Sequence, residues 1–259
     1  YLPTMNRSEI FLVMVPGMGT IAGSVMGTYI GMLGGTDPAA KVLFATHLLS
    51  ASVMAVPGSI VLAKMLCPQT EEATDHVAIS GKEKENSNIL DAISSGTVTG
   101  VKLMTNIAAM LLVFISLVAL ANYITEGVIG RYTGLNDWIV KITDGKAQGL
   151  TFQFILGVIT SPFMWLIGVP SQDIMLVGSL LGQKTILNEF VAYFQLQQWK
   201  DAGLFMYEKS ILMSTYILCG FANISSIGIL LGGLGVLAPE KRGLISRIGV
   251  PAMIGGALV

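Results

Sequence analysis

Gly220-Phe221-Ala222-Asn223-Ile224-Ser225-Ser226 interrupts an otherwise apolar, uncharged run at residues 211–239. Gly17-Met18-Gly19-Thr20-Ile21-Ala22-Gly23 does the same to the uncharged run at residues 10–33. A bilayer core offers no water to the backbone, so a membrane helix that loosens at small and polar residues must satisfy its freed N–H and C=O groups otherwise. A bound solute or ion is one way. Two corresponding breaks in two halves of a chain predict an inverted repeat with a binding site between them, near the midplane.

Composition agrees with a membrane setting. Hydrophobic residues make up 53% of the 259 and charged residues 12%, against roughly a quarter charged in soluble domains; mean hydropathy is +0.70. The formal net charge of -1 leaves no electrostatic footprint for nucleic acid. Cys67 and Cys219 fall in no metal or redox spacing and read as packing residues. No Ser-His-Asp order, Walker motif or dinucleotide fingerprint stands in a credible context, so the chain does not read as an enzyme. The opening Tyr1-Leu2-Pro3 and the apolar close Gly256-Ala257-Leu258-Val259 predict a fragment of a longer protein.

The fold class predicted is an all-α integral membrane protein, an inverted-repeat secondary transporter with broken transmembrane helices and a re-entrant helical hairpin. Residues 1–88 form the end of a first repeat. They hold the first broken helix and a following span at 42–63, which carries His47 and a break at Pro57-Gly58, then a polar connector at 67–88. Residues 89–125 read as one long, tilted helix, strongly apolar from Leu103 to Ala121. Residues 126–259 form a second repeat. Its apolar segment 150–169 is cut by Ser161-Pro162 and is expected to bend or to lie at the interface. The apolar arms within 174–196 are each far short of the roughly 17 residues a span needs. They flank Gly182-Gln183-Lys184-Thr185-Ile186-Leu187-Asn188-Glu189, which reads as the polar tip of a re-entrant hairpin. The second broken helix covers 211–238, and a last, truncated span begins at Ile245. Lys and Arg are spread over successive connectors, which leaves the membrane orientation open.

Glu189 is the leading candidate for chemistry, since an acidic side chain between apolar arms costs about 2.5–3.5 kcal/mol at mid-membrane. It could accept two neighbouring hydroxyls of a solute, as on a sugar, or pair with Lys184 to close the hairpin tip. Gln183 and Asn188 add neutral donors and acceptors beside it. Asn223 and Ser226, three residues apart, share a helix face and serve either a solute or interhelical contact. Phe221 offers an aromatic wall or plain packing. Freed carbonyls of Thr20 and Ile21 would suit a hard cation such as sodium, and a small-residue packing motif is the alternative there. His47 has no visible partner and reads as a hydrogen-bonded core residue.

The motifs Gly182-Gln183-Lys184, Asn188-Glu189-Phe190-Val191-Ala192-Tyr193, Cys219-Gly220-Phe221-Ala222-Asn223-Ile224-Ser225-Ser226-Ile227-Gly228 and Leu237-Ala238-Pro239-Glu240-Lys241-Arg242, in this order, resemble the concentrative nucleoside transporters. So do Gly19-Thr20-Ile21-Ala22-Gly23-Ser24-Val25 and Ser50-Ala51-Ser52-Val53-Met54-Ala55-Val56-Pro57-Gly58. The resemblance covers nearly the whole chain. It implies a multi-pass protein of the cell (inner) membrane, a homotrimer in the lipid bilayer that imports nucleosides with Na+ as coupling ion. It also implies that Glu189, Asn223 and Ser226 hold the ribose, that Phe221 lines the pocket, that Val25 faces the nucleobase and that Thr20 and Ile21 bind sodium. The helix through 103–121 would belong to the trimeric scaffold. The first hairpin, with most of the base contacts, is expected before Tyr1. The residues read by themselves reach only a solute transporter; a membrane-embedded nucleoside sensor or gating module, a channel, and a proton-coupled transporter of a related solute are the alternatives.

Overall fold

The computed structural model describes residues 2–71, 88–143, 145 and 147–259. Among these residues the regular structure is entirely helical. Asn6 starts α1 (Arg7–Gly19) with a reciprocal cap: its Oδ1 accepts the Glu9 N–H while its own N–H reaches Glu9 Oε2. The chain then turns extended from Thr20 to Ala22 and resumes as α2 (Gly23–Gly34). Asp37 caps α3 (Pro38–Leu66) through the Ala39 N–H, with Pro38 in the first turn where its missing N–H is harmless.

The break expected at Pro57-Gly58 is absent, for α3 runs unbroken through Pro57. One proline removes a single intrahelical bond and costs about 3 kcal/mol. Packing against α1 and α2, and against two later helices, holds the axis on both sides of it, with Ala51, Ala55, Ser59 and Ala63 buried along one stripe. Of the polar connector at 67–88, residues 72–87 lie outside the described residues, as do residues 144 and 146.

α4 (Ile89–Asn122) is 34 residues long, about 51 Å at 1.5 Å per residue, well beyond a hydrocarbon core of about 30 Å. It passes into a π-helical stretch, Tyr123–Gly130, then α5 (Arg131–Thr133) and α6 (Leu135–Ile142). Leu112, Val113, Leu117 and Leu120 on α4 are exposed. Asn122 anchors the next helix: its Oδ1 accepts the Phe152 N–H at 2.7 Å and its Nδ2 donates to Gln153 Oε1 at 3.1 Å. That helix, α7 (Phe152–Leu166), also passes its proline without interruption, so the cut expected at Ser161-Pro162 does not occur. At 15 residues it is too short to cross upright, and it lies along α8 (Ile174–Ile186). Glycine permits the closeness: a Cβ on Gly182 would fall 2.4 Å from Leu156 Cβ.

α8 and α9 (Glu189–Asp201) form the hairpin, and its tip is far smaller than the eight-residue polar segment expected. Gly182 to Ile186 continue α8, and only Leu187 and Asn188 turn the chain. Polar side chains at 183–185 do not stop a helix whose backbone bonds are satisfied internally. α10 (Glu208–Leu218), a break from Cys219 to Asn223, α11 (Ile224–Leu237) and α12 (Arg242–Leu258) complete the chain.

The packing has a crossed symmetry. The first half of each broken helix reaches the straight helix of the other repeat, α1 on α12 and α10 on α3, and α1 also lies along α3 of its own repeat. The second halves lie against their own, α2 on α3 and α11 on α12. One apolar cluster joins Ile10, Phe11, Met14, Val15 and Met18 of α1 to Ala222, Ile245, Ile248 and Ala252. Another joins Ile21, Tyr29, Leu33, Phe44, Leu48, Tyr193, Leu196, Leu218 and Cys219. Both breaks lie where these two clusters meet.

Candidate substrate and ion site

The two breaks touch each other. Gly220 has φ +118°, a backbone that side-chain-bearing residues rarely adopt, and a Cβ there would stand 2.8 Å from the Gly19 carbonyl oxygen and 3.1 Å from that of Met18. From the opposite side, a Cβ on Gly256 of α12 would meet Met18 Cβ at 2.8 Å. Glycine is required at these positions because three backbones converge there.

Just past Gly220, Asn223 starts α11. Its Oδ1 accepts from the Ser226 N–H at 2.9 Å, the Ser226 hydroxyl at 3.0 Å and the Ser225 hydroxyl at 2.6 Å. This is an N-cap strengthened by two serines. The cap turns the Asn223 amide toward the hairpin, and its Nδ2 donates to Glu189 Oε2 at 2.9 Å. Tyr29 of α2 donates its hydroxyl to Glu189 Oε1 at 3.4 Å. An ionised carboxylate offers about four lone-pair directions. Tyr29 and Asn223 each engage one of its two oxygens, and the capacity that remains suits further donors such as solute hydroxyls. Glu189, Asn223 and Ser226 are all buried, as are Gln183 and Lys184.

The structure thus brings Glu189, Asn223 and Ser226 into one connected group. Phe221 and Val25 border the same apolar cluster as Ile21 and Tyr29. Asn188 caps α9 by accepting the Val191 N–H at 2.9 Å, and Gln183 donates to Ser179 Oγ at 3.3 Å within its own arm. Both are held to the hairpin's own backbone or side chains rather than to Glu189. The pairing of Lys184 with Glu189 does not form: Lys184 Nζ donates instead to the Ile217 carbonyl at 2.9 Å, and among the described residues no ion pair joins the two. The last carbonyls of a helix lack internal partners and carry the negative end of its dipole, so the end of α10 draws the ammonium group away. Tyr193 does the same from the other arm, donating to the Thr215 carbonyl at 2.8 Å.

At the first break, the Thr20 hydroxyl and N–H both turn back to the Pro16 carbonyl, at 2.9 and 3.1 Å. Among the described residues no backbone N–H donates to the carbonyls of Thr20 or Ile21. Such oxygens fit a hard cation. His47 does have a partner: its Nδ1 lies 3.0 Å from the Tyr216 hydroxyl, joining α3 to α10.

Sequence reading missed Tyr29 and Ser225. Tyr29 lies in an apolar helix with no local polar signal, and nothing short of the fold places it beside a residue 160 positions away. Ser225 is adjacent to a residue already singled out, and the Asn-x-Ser-Ser order at a helix start was the available sign.

Helices broken at mid-length, a re-entrant hairpin with a buried carboxylate at its tip and crossed packing between repeats are the architecture of an inverted-repeat membrane fold. Comparison with known proteins makes this specific. Residues 47–259 match the family model for the C-terminal part of Na+-dependent nucleoside transporters. The chain belongs to that family of membrane transporters. It is 38% identical over 273 residues to sodium/nucleoside cotransporter 1 of Rattus norvegicus, covering 100% of this chain and 39% of that protein. It is 36% identical over 260 residues to the nucleoside permease NupC of Helicobacter pylori, covering 100% of this chain and 56% of the permease. An uncharacterized transporter of Haemophilus influenzae is 39% identical, and the chain spans 57% of its length. Among solved structures, CNTnw in an inward-facing, substrate-bound state aligns with TM-score 0.79 and 36% identity, over 100% of this chain and 56% of that one. A CNTnw variant in an intermediate state aligns with TM-score 0.81 at the same identity.

Proposed function

We propose that the protein to which this chain belongs takes up nucleosides across the cell membrane, driven by a sodium gradient, by alternating access. The observation that carries the reading is the Glu189–Asn223 contact at 2.9 Å, buried at the junction of the hairpin and the second break, with carboxylate lone pairs left over. A cis-diol such as that of ribose presents two adjacent hydroxyl donors to such a carboxylate. Ser226 stands one turn from Asn223, and Phe221 and Val25 supply apolar surface for a base. Sodium is assigned to the Thr20 and Ile21 carbonyls. Gln183 and Asn188 serve by shaping the hairpin that carries Glu189. Hairpin and broken helices move as one body, since Lys184 and Tyr193 tie both arms of the hairpin to α10. α4, with its exposed apolar side chains, is assigned to the scaffold of a homotrimer in the bilayer.

The test is uptake of labelled uridine and adenosine into vesicles carrying the full-length protein, with sodium or with choline at fixed pH. Saturable uptake that collapses in choline is expected. Equal uptake in both media would sink the coupling to sodium, and no uptake of either nucleoside would sink the substrate class. Counterflow of labelled against unlabelled nucleoside separates a transporter from a sensor that only binds.

A further inference from the structure

Tyr29 is fully buried, and its hydroxyl has one partner recorded among the described residues, Glu189 Oε1. Among the described residues it is the one side chain hydrogen-bonded from the first broken helix to the carboxylate of the second repeat. α2, which carries it, starts directly after the three-residue break whose Thr20 and Ile21 carbonyls receive no backbone N–H among the described residues. Tyr29 stands six residues beyond Gly23, about 9 Å along the helix. Its ring is clamped by α9: stacked on Tyr193 with centroids 4.1 Å apart and planes at 23°, and tilted against Phe190 at 6.4 Å. Farther along the same pair, Lys200 of α9 donates to the Leu33 carbonyl in the last turn of α2. Helices α2 and α9 are therefore joined along their length, and Glu189 is the first residue of α9.

The two donors to Glu189 differ. Asn223 holds Oε2 at 2.9 Å, a normal length, from a side chain fixed by three further hydrogen bonds. Tyr29 holds Oε1 at 3.4 Å, longer than the roughly 2.5–3.0 Å usual for O–H···O. The carboxylate is thus held firmly from the solute-side break and loosely from the ion-side helix.

We propose that Tyr29 is the positioning residue through which the ion-side break governs the solute-binding carboxylate. In this reading, a cation held by the Thr20 and Ile21 carbonyls fixes the start of α2, the Tyr29 hydroxyl closes on Glu189 Oε1, and the remaining lone pairs face the solute hydroxyls. The inference rests on the assignment of Glu189 to the ribose and of the Thr20–Ile21 carbonyls to sodium. Reciprocity requires that whatever factor sodium contributes to nucleoside affinity, nucleoside contributes to sodium affinity.

Tyr29→Phe keeps the ring and its stacking and removes only the donor. The experiment is calorimetric binding of uridine to the purified full-length protein, wild type and Tyr29→Phe, at zero and saturating sodium with choline as replacement. Thermal melts with sodium alone serve as a second readout. The expected result has two parts: the factor by which sodium tightens uridine binding falls at least threefold in Tyr29→Phe, and sodium alone still raises the melting temperature as in wild type. An unchanged coupling factor overturns the proposal and leaves the Gly19–Gly220 backbone contact as the route. Loss of the sodium-only stabilisation in a folded variant also overturns it, since Tyr29 would then belong to the ion site itself. Wild-type uridine binding that ignores sodium defeats the coupling reading of the preceding section, and this inference falls with it. A wild type that binds no uridine defeats the substrate assignment, on which the inference equally depends.

Discussion

Two residues decide whether the buried group at the hairpin tip binds or merely braces. Glu189 and Asn223 satisfy one another directly, yet each has capacity beyond that contact. Replacing Glu189 by Gln keeps the shape and removes the charge. Uridine binding by the full-length protein is expected to weaken by about 1.5–3 kcal/mol, the range for a hydrogen bond to a charged group, measured by calorimetry; unchanged affinity would make Glu189 a brace. Asn223 carries two duties, so Asn223→Ala should both loosen nucleoside binding and remove the α11 cap, at about 1 kcal/mol of stability, read as a lower melting temperature without ligand. In a double-mutant cycle the effects of Glu189→Gln and Asn223→Ala on binding should not add, because the two side chains are in contact. Additive effects would mean that they act on the solute separately.

Between elements, the hairpin is fixed to the second broken helix at that helix's most electron-rich end. Lys184 and Tyr193 reach from opposite arms to the carbonyls of Ile217 and Thr215. Lys184→Met would leave the part-buried Ile217 carbonyl without its partner, a loss of about 1–3 kcal/mol at most. A lower melting temperature in detergent is expected, and a melting temperature equal to or above wild type would show that relief from a buried charge outweighs the lost contact. The glycines where the breaks meet are a different kind of constraint. Gly220→Ala places a methyl group 2.8 Å from the Gly19 oxygen on a backbone already at φ +118°, so the yield of folded protein should drop sharply. Recovery of well-folded Gly220→Ala protein with wild-type sodium and nucleoside binding would show that the breaks can separate without consequence.

For the molecule as a whole, α4 stands out as a helix of 34 residues that, among the described residues, packs on little beyond the π-helical stretch after it and α7, whereas α1, α3 and α12 close around one another. That contrast suits a static scaffold beside a moving body, and the full-length protein is expected to give the mass of a trimer by native mass spectrometry; a monomer would remove α4 from that role. Legibility in the sequence followed the range of the interactions. The breaks at residues 20–22 and 219–223, the hairpin and the long α4 were all visible, because glycine, polar residues and apolar run length act locally on the backbone. Pro57 and Pro162 misled for the same reason: each weakens its own turn, but neighbouring helices hold the axis. The polar character of residues 183–185 likewise suggested a wide tip, while the backbone bonds of α8 continued through it. Sequence by itself determined that this chain belongs in a membrane, where its helices break and that Glu189 is exceptional, since burial in lipid penalises each unpaired polar group wherever the chain folds. Only the tertiary structure decided the partners. Lys184 turned to a helix end instead of to Glu189, Tyr29 came to Glu189 from 160 residues away, and Gly220 came to rest on Gly19. Contacts of that range depend on which helices cross, and no local pattern encodes the crossing.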